Sequence, residues 1–190
     1  MADKIPAEKI IASRWGWLGL LILIIAGVFQ IDKSGIVDLN LNATSTNQID
    51  TYYKVTKVTD GDTIHIDMDG TDETIRLIGI NTPETVDPRK TVECFGKEAS
   101  TRMKELLSGK IVRLEYDESQ SSRDVYGRLL AYVYIDDGEM INRKMIAEGY
   151  AYEYTYMTPY KYQTEFRSLQ NIAKTSKRGL WAEDACNGQK

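Results

Sequence analysis

The chain has 190 residues, 42% apolar and 27% charged, with 4 Pro and 14 Gly. This excludes collagen, low-complexity disorder and disulfide-dense mini-proteins, and suits one globular domain with length to spare. The formal net charge is −4, from 24 Lys and Arg against 28 Asp and Glu, so no basic excess is present for general polyanion binding. One His (His65) and two Cys (Cys94 and Cys186) without a Cys-x-x-Cys pair exclude His-rich metal sites, helical HExxH metallopeptidases, zinc ribbons and thioredoxin-type redox centres. An enzyme of this composition works with carboxylates, Arg, Lys, Tyr or a hard metal ion.

Residues Trp15–Ile31 (WGWLGLLILIIAGVFQI) form a 17-residue run without charge. That is the short end of the roughly 17–25 residues needed to span a bilayer. Lys4, Lys9 and Arg14 precede the run, and Trp15 and Trp17 open it. The basic flank predicts residues 1–14 in the cytoplasm and the remainder outside it, with the membrane engaged through residues 15–31. Two readings stay open: an uncleaved signal anchor, favoured because no clean small-x-small cleavage site follows, and a cleaved signal ending in secretion. Both place the rest of the chain where disulfides are permitted. Residues 32–50 are polar, cluster Ser, Thr and Asn, and read as a linker.

From Tyr52 the pattern turns to strands. Tyr52–Val58 alternates, and Asp62–Met68 sets Ile64, Ile66 and Met68 against Thr63, His65 and Asp67, which predicts an exposed His65. Asp69-Gly70 signals a turn, and Thr74–Ile80 returns as a third strand. A Pro-containing loop (Asn81–Glu93) leads to a helix over Gly96–Leu107, with Ala99, Met103, Leu106 and Leu107 on one face and Ser108-Gly109 after it. Ile111–Tyr116 and Leu129–Ile135 are the fourth and fifth strands, separated by the polar loop Asp117–Tyr126. A short helix is predicted around Ile141–Glu148 and a last one near Tyr160–Thr175, where Tyr162, Phe166, Leu169 and Ala173 keep helical spacing. Five short strands and three helices predict an α+β domain. A five-stranded, partly open barrel of the OB type is the natural candidate, preceded by the N-terminal apolar helix.

Charged groups gather at strand ends. Asp60-Gly61-Asp62-Thr63 opens the second strand and sets two carboxylates beside a residue that tolerates a tight turn. Arg76 sits inside a mostly apolar strand and needs a carboxylate or a bound anion as partner. Pro83 stiffens Asn81-Thr82-Pro83-Glu84. Arg123-Asp124-Val125-Tyr126-Gly127-Arg128 leads into the fifth strand. Asp62, Arg76, Glu84 and Arg128 are thereby expected at one rim. Oxygen donors there suit Ca²⁺ or Mg²⁺, and Arg suits phosphate. The tyrosines at 150, 152, 154, 156, 160 and 162 serve either as packing or as a platform for stacked bases.

Taken in order, DGDT, IRLIGINTPET, ECFGKEAS, DVYGRLLAYVY and RGLW resemble the staphylococcal nuclease (thermonuclease-like) family over about Tyr53–Trp181. The resemblance implies a catalytic domain over 51–183, with 184–190 as a C-terminal tail, and an OB-type barrel with three helices. It implies a metal-dependent nuclease hydrolysing DNA and RNA, using one Ca²⁺ and leaving 3′-phosphates. Asp62, Asn81 and Thr82 fall at the metal positions and Glu84 at the residue that activates water. Arg76 and Arg128 fall at the two phosphate-gripping arginines, and Tyr126, Tyr154 and Tyr156 at substrate-contacting positions. Asn81 replaces a second aspartate of the family pattern, which predicts weaker metal binding with activity retained.

In an exported protein, a Cys94–Cys186 disulfide would tie the tail to the barrel; two unpaired cysteines are the alternative for a cytosolic one. No obligate protein partner is evident, and a monomer is expected. One rival function is a catalytically weak or inactive OB module that binds nucleic acid at the membrane; another is a tethered domain whose ligand is a protein. Residues 1–49 carry four basic and four acidic groups, so the whole −4 falls on residues 50–190. Nucleic-acid binding must then be local to one cleft, with few phosphate contacts and a shallow salt dependence.

Overall fold

A computed structural model describes residues 51–85 and 93–188. The expected anchor over 15–31, its cytoplasmic flank and the linker lie outside the described residues. Among those described, no helix is long and apolar enough to cross a membrane.

Five strands close a barrel: β1 (Tyr52–Asp60), β2 (Thr63–Met68), β3 (Thr71–Leu77), β5 (Ile111–Glu115) and β6 (Leu129–Tyr134). The order around it is β1-β2-β3-β6-β5. All neighbours are antiparallel except β3 and β6, which run parallel, with Ile75, Arg76 and Leu77 opposite Leu129, Leu130 and Ala131. Val55, Ile64, Ile66, Ile75, Leu77, Val112, Ala131 and Val133 are buried and form the barrel core. Alternation along each strand sends these branched side chains inward, which is what period-2 spacing dictates.

The third strand starts three residues earlier than the expected Thr74 and stops at Leu77. Asp69 (φ 54°) and Gly70 (φ 83°) both adopt left-handed angles. That two-residue turn keeps both flanking strands in register, so the polar residues Thr71–Glu73 pair with Ile66–Met68 instead of forming loop. At the other end, Gly79 (φ 78°) turns the chain out of the barrel. A Cβ there would lie 2.6 Å from the Tyr160 ring and 2.9 Å from Phe166, so only glycine fits. Beyond it, β4 (Ile80–Asn81) pairs with β7 (Tyr152–Glu153) in a separate two-stranded sheet. This bend carries Asn81, Thr82 and Glu84 away from the barrel wall.

His65 is half-buried, not exposed: its Nδ1 pairs with Asp72 Oδ2 at 2.8 Å across the β2–β3 hairpin. The earlier start of β3 supplies this partner.

Three α-helices cover the barrel among the described residues: α1 (Gly96–Leu107), α2 (Ile141–Ala147) and α3 (Gln163–Thr175). The last begins three residues later than expected. Helix α1 buries Ala99, Met103 and Leu107, and α3 buries Phe166 and Ala173. Helix α2 is tied down by a fully buried Asn142. Its Nδ2 donates to Ile78 O at 2.9 Å and its Oδ1 accepts from Val133 N at 2.9 Å. A buried amide with all these bonds satisfied locks α2 against the β3–β4 bend.

The C-terminal segment folds back on the domain. Leu180 is fully buried, Gly188 N donates to Leu180 O at 2.8 Å, and Tyr152 meets Trp181 edge-on. Cys186 is disulfide-bonded to Cys94, 92 residues earlier in the chain.

Candidate active site

Asp62, Arg76, Asn81, Thr82, Glu84, Tyr126, Arg128, Tyr154 and Tyr156 all line one cleft of about 640 Å³ at the barrel rim. A larger groove of about 940 Å³ runs along β5 beside Pro159–Lys161. Two of its carboxylates, Glu115 and Asp117, already accept hydrogen bonds from Lys161, Tyr134 and Tyr162, and from Tyr132 respectively. The converging chemical groups lie in the smaller cleft.

Register explains the centre of the cleft. Thr63 pairs with Arg76 across β2 and β3, which brings Asp62 beside Arg76. Arg76 Nη2 meets Asp62 Oδ2 at 3.0 Å, and both side chains are nearly buried. The guanidinium also donates to the carbonyls of Leu77 (2.7 Å) and Ile80 (2.9 Å), and to Asn81 Oδ1 at 3.3 Å. The charge inside an apolar strand is thus satisfied by a carboxylate and by the carbonyls of the β3–β4 bend. Asp62 in turn accepts from Thr63 Oγ1 (2.9 Å) and Thr82 N (3.1 Å), which locks the Asn81–Thr82 segment over it.

Asp60 lies at the back of the same cleft and accepts from Gly61 N (2.9 Å) and Thr85 Oγ1 (2.7 Å). Burial pushes its carboxyl above the usual carboxylate range. The two hydrogen bonds oppose this, and the neighbouring Asp62 and Glu84 charges add to it. Glu84 is half-buried and its Oε1 accepts from Thr85 N at 2.9 Å. Gly61 is required by close approach: a Cβ there would lie 2.7 Å from Thr82 Cγ2.

Arg128 is held from the other side. The turn Asp124–Arg128 places Asp124 Oδ2 against Arg128 Nε at 2.7 Å and Nη2 at 2.6 Å. Asp124 Oδ1 caps the turn, accepting from the backbone N–H groups of Tyr126 (2.9 Å) and Arg128 (3.0 Å). Burial raises the Asp124 carboxyl, but the Arg128 bonds outweigh it and hold the group below the ordinary range. Arg123 pins the turn to β3 through a two-point pair with Glu73 at 2.9 and 3.1 Å. Arg128 Nη1 reaches Thr63 Oγ1 at 3.4 Å, so it faces the Asp62–Arg76 pair across the mouth.

The tyrosines divide between the two roles left open above. Tyr160 is buried, donates to Glu153 Oε1 at 3.1 Å, and is raised well above the usual phenol range by that burial, so it stays protonated. Tyr126, Tyr154 and Tyr156 are 81%, 43% and 67% exposed and surround the cleft, with the Tyr154 and Tyr156 rings 6.4 Å apart. Exposed aromatic faces beside arginines suit unpaired bases.

A cation fits this donor set. Asp62 and Asn81 offer side-chain oxygens, and Asp60, Asp62 and Glu84 repel one another in a partly desolvated space. Thr82 Oγ1 is buried without a hydrogen-bond partner. Among the described residues no three His, Cys, Asp or Glu side chains converge closely enough to hold an ion alone. Carbonyl and amide oxygens and water must complete any shell, as hard cations accept.

Several residues of the site were not singled out from the sequence. Asp124 orients Arg128 at a spacing of four, a side-chain pairing that sequence predicts in helices but not in the polar segment before the fifth strand. Glu93 and Thr85 reach the site through hydrogen bonds to backbone or to Asp60, which no hydrophobic pattern encodes.

Fold and cleft together define a phosphodiester-cleaving enzyme built on an OB-type barrel. The chain belongs to the staphylococcal nuclease family: residues 74–183 match the family described as staphylococcal nuclease homologue. It is 39% identical over 164 residues to a protein named thermonuclease from Staphylococcus hyicus, covering 85% of this chain and 95% of that one. It is 43% identical over 163 residues to the thermonuclease of Staphylococcus intermedius, covering 86% and 95%. Endonuclease YncB of Bacillus subtilis (strain 168) is 40% identical over 125 residues, 65% of this chain and 58% of that one. The chain is a nuclease, and its substrates are nucleic acids.

Proposed function

We propose that the chain is a Ca²⁺-dependent phosphodiesterase that cuts both DNA and RNA and leaves 3′-phosphates. The observation that carries this reading is the convergence of Asp62, Arg76, Glu84 and Arg128 on one cleft ringed by exposed tyrosines. Asp62, Asn81 and Thr82 would hold the ion. Once bound, it would supply Lewis-acid polarisation and neutralise phosphate charge.

The chain's own groups do the rest. Glu84 orients a water and takes its proton as the water oxygen attacks phosphorus; the P–O5′ bond breaks with its electron pair going to the 5′-oxygen, which takes a proton from solvent and leaves as a 5′-hydroxyl, with the phosphate kept on the 3′ side. Arg76 in β3 and Arg128 just before its paired strand β6 donate hydrogen bonds to the phosphoryl oxygens, whose charge grows towards the transition state. Asp124 and the Leu77 and Ile80 carbonyls hold the two guanidinium groups beforehand, so little reorganisation is left for the reaction. Tyr126, Tyr154 and Tyr156 stack flanking bases without reading their identity, in keeping with action on DNA and RNA. The same reading has the enzyme working as a monomer outside the cytoplasm, anchored by residues 15–31 or released after cleavage. The Cys94–Cys186 disulfide supports an oxidising compartment.

End-group analysis of exhaustive digests tests the reaction. Products are expected to carry a 5′-hydroxyl that a polynucleotide kinase labels without prior phosphatase treatment, and a phosphate that fragment masses place on the 3′ end; products that need phosphatase before 5′ labelling carry a 5′-phosphate and would refute the assignment.

Asn81→Asp is expected to lower the Ca²⁺ concentration for half-maximal rate on the order of tenfold, because it restores one negative charge beside Asp62. A Ca²⁺ titration of the initial rate checks this. A variant slower than the parent at every Ca²⁺ concentration would contradict it.

A further inference from the structure

We infer that Glu93 is a positioning residue for Glu84, an inference that rests on the water-activating role proposed for Glu84. Glu84 N donates to Glu93 Oε2 at 3.1 Å, and Glu93 N donates back to Glu84 O at 3.0 Å. Both backbone polar groups of Glu84 are therefore held by one residue, and the peptide planes on either side of its Cα are fixed. Thr85 extends the hold: its N–H meets Glu84 Oε1 at 2.9 Å and its hydroxyl meets Asp60 at 2.7 Å.

Glu93 is itself immobilised. Its carbonyl accepts from Gly96 N at 3.1 Å, at the start of α1. Gly96 packs so tightly on this segment that a Cβ would lie 2.6 Å from Thr85 Cγ2 and 3.1 Å from the Pro83 and Glu84 carbonyl oxygens. The next residue, Cys94, is bonded to Cys186. The anchoring of α1 and of the C-terminal segment thus bears on the Glu93 backbone, and the Glu93 side chain grips the backbone of Glu84. Glu93 does not line the cleft, so it touches neither substrate nor the reacting atoms. Its effect is on geometry. A displacement of about 1 Å at a reacting group costs on the order of 10²-fold in rate.

The test compares Glu93→Met, which keeps length and packing but removes the acceptor, with Glu93→Gln, which keeps an acceptor oxygen. Both are made in the full chain and in a Glu84→Gln background. Glu93→Met is expected to lower kcat by roughly 10- to 100-fold at unchanged KM, and to speed hydrogen exchange of the Glu84 amide. Glu93→Gln is expected to restore most of kcat, and Glu93→Met to add nothing once Glu84 is Gln. Melting temperatures of all six proteins, the two parents included, separate these effects from unfolding. Wild-type kcat in Glu93→Met, equal losses in Met and Gln, or an additive loss in the Glu84→Gln background would overturn the inference. Undiminished cleavage by Glu84→Gln alone identifies a different failure, that of the role given to Glu84, and removes the basis for the inference with it.

Discussion

Arg128→Ala is expected to lower kcat by a factor on the order of 10²–10³, the usual loss for one donor aimed at developing charge. Arg128 is the cleaner of the two arginines to remove. Arg76 is bound to Asp62 and to two backbone carbonyls in a nearly buried place. Its deletion would take the charge partner from nearly buried Asp62, which keeps only the Thr63 hydroxyl and Thr82 N–H, and a donor from each carbonyl, and so weaken the fold as well as the chemistry. Arg128 is more open, with 29% of its side chain exposed, and its protein partner is Asp124, which also caps its own turn through two backbone N–H groups. That turn stays pinned by Arg123 and Glu73 when Arg128 is truncated. Activity and melting temperature should therefore separate, with a large fall in the first and a small one in the second. Arg128→Lys is expected to recover only a minor part of the rate, because an ammonium keeps the charge but not the planar fork. Steady-state kinetics on a defined oligonucleotide, with a melting curve for each variant, check both statements. Undiminished cleavage by Arg128→Ala would refute the role.

Reducing the Cys94–Cys186 disulfide is expected to cost the second large amount, this time in stability. The bond closes a loop of 92 residues in sequence separation. The chain-entropy account gives about 4–5 kcal/mol for a loop of that length. For a domain of this size that corresponds to a fall in melting temperature of roughly 10–20 °C. Cys94→Ser with Cys186→Ser should melt where the reduced protein melts and should ignore added reductant. Thiol counting on the unfolded, unreduced protein should find none. Two free thiols, or a melting temperature indifferent to reductant, would contradict the bond. Reduction is also expected to slow cleavage below the melting transition, because Cys94 adjoins Glu93.

Much of this molecule was legible in its residues. Branched apolar side chains at alternate positions marked the barrel strands, and Ala99, Met103 and Leu107 marked the buried face of α1. Asp62, Arg76, Glu84 and Arg128 stand at strand ends or beside stiff turns, and strand ends on a closed barrel share a rim. What stayed hidden depends on through-space returns of the chain. The start of β3 at Thr71 follows from a two-residue turn, whereas composition alone made Thr71–Glu73 look like loop. Pairing of Ile80–Asn81 with Tyr152–Glu153 joins residues far apart in sequence and only two long on each side, too short for any periodicity. The Asp124 hold on Arg128 and the Glu93 hold on Glu84 are made partly with backbone N–H groups, which every residue carries and no side-chain pattern reveals. Sequence alone leaves a disulfide and two free thiols both open, and only the fold brings Cys94 and Cys186 together.

The net charge of −4 takes on a more local meaning beside this cleft. Three of the acidic side chains, Asp60, Asp62 and Glu84, line this cleft, and Arg76 is paired with only one of them, Asp62, so an added cation would offset the repulsion the others exert on a phosphodiester. Cleavage of a single-stranded oligonucleotide in Ca²⁺, in Mg²⁺ and in EDTA measures that requirement directly. Cleavage is expected in Ca²⁺, abolished by EDTA and restored when Ca²⁺ is added back in excess. Full cleavage in EDTA, or restoration by Mg²⁺ but not by Ca²⁺, would contradict it.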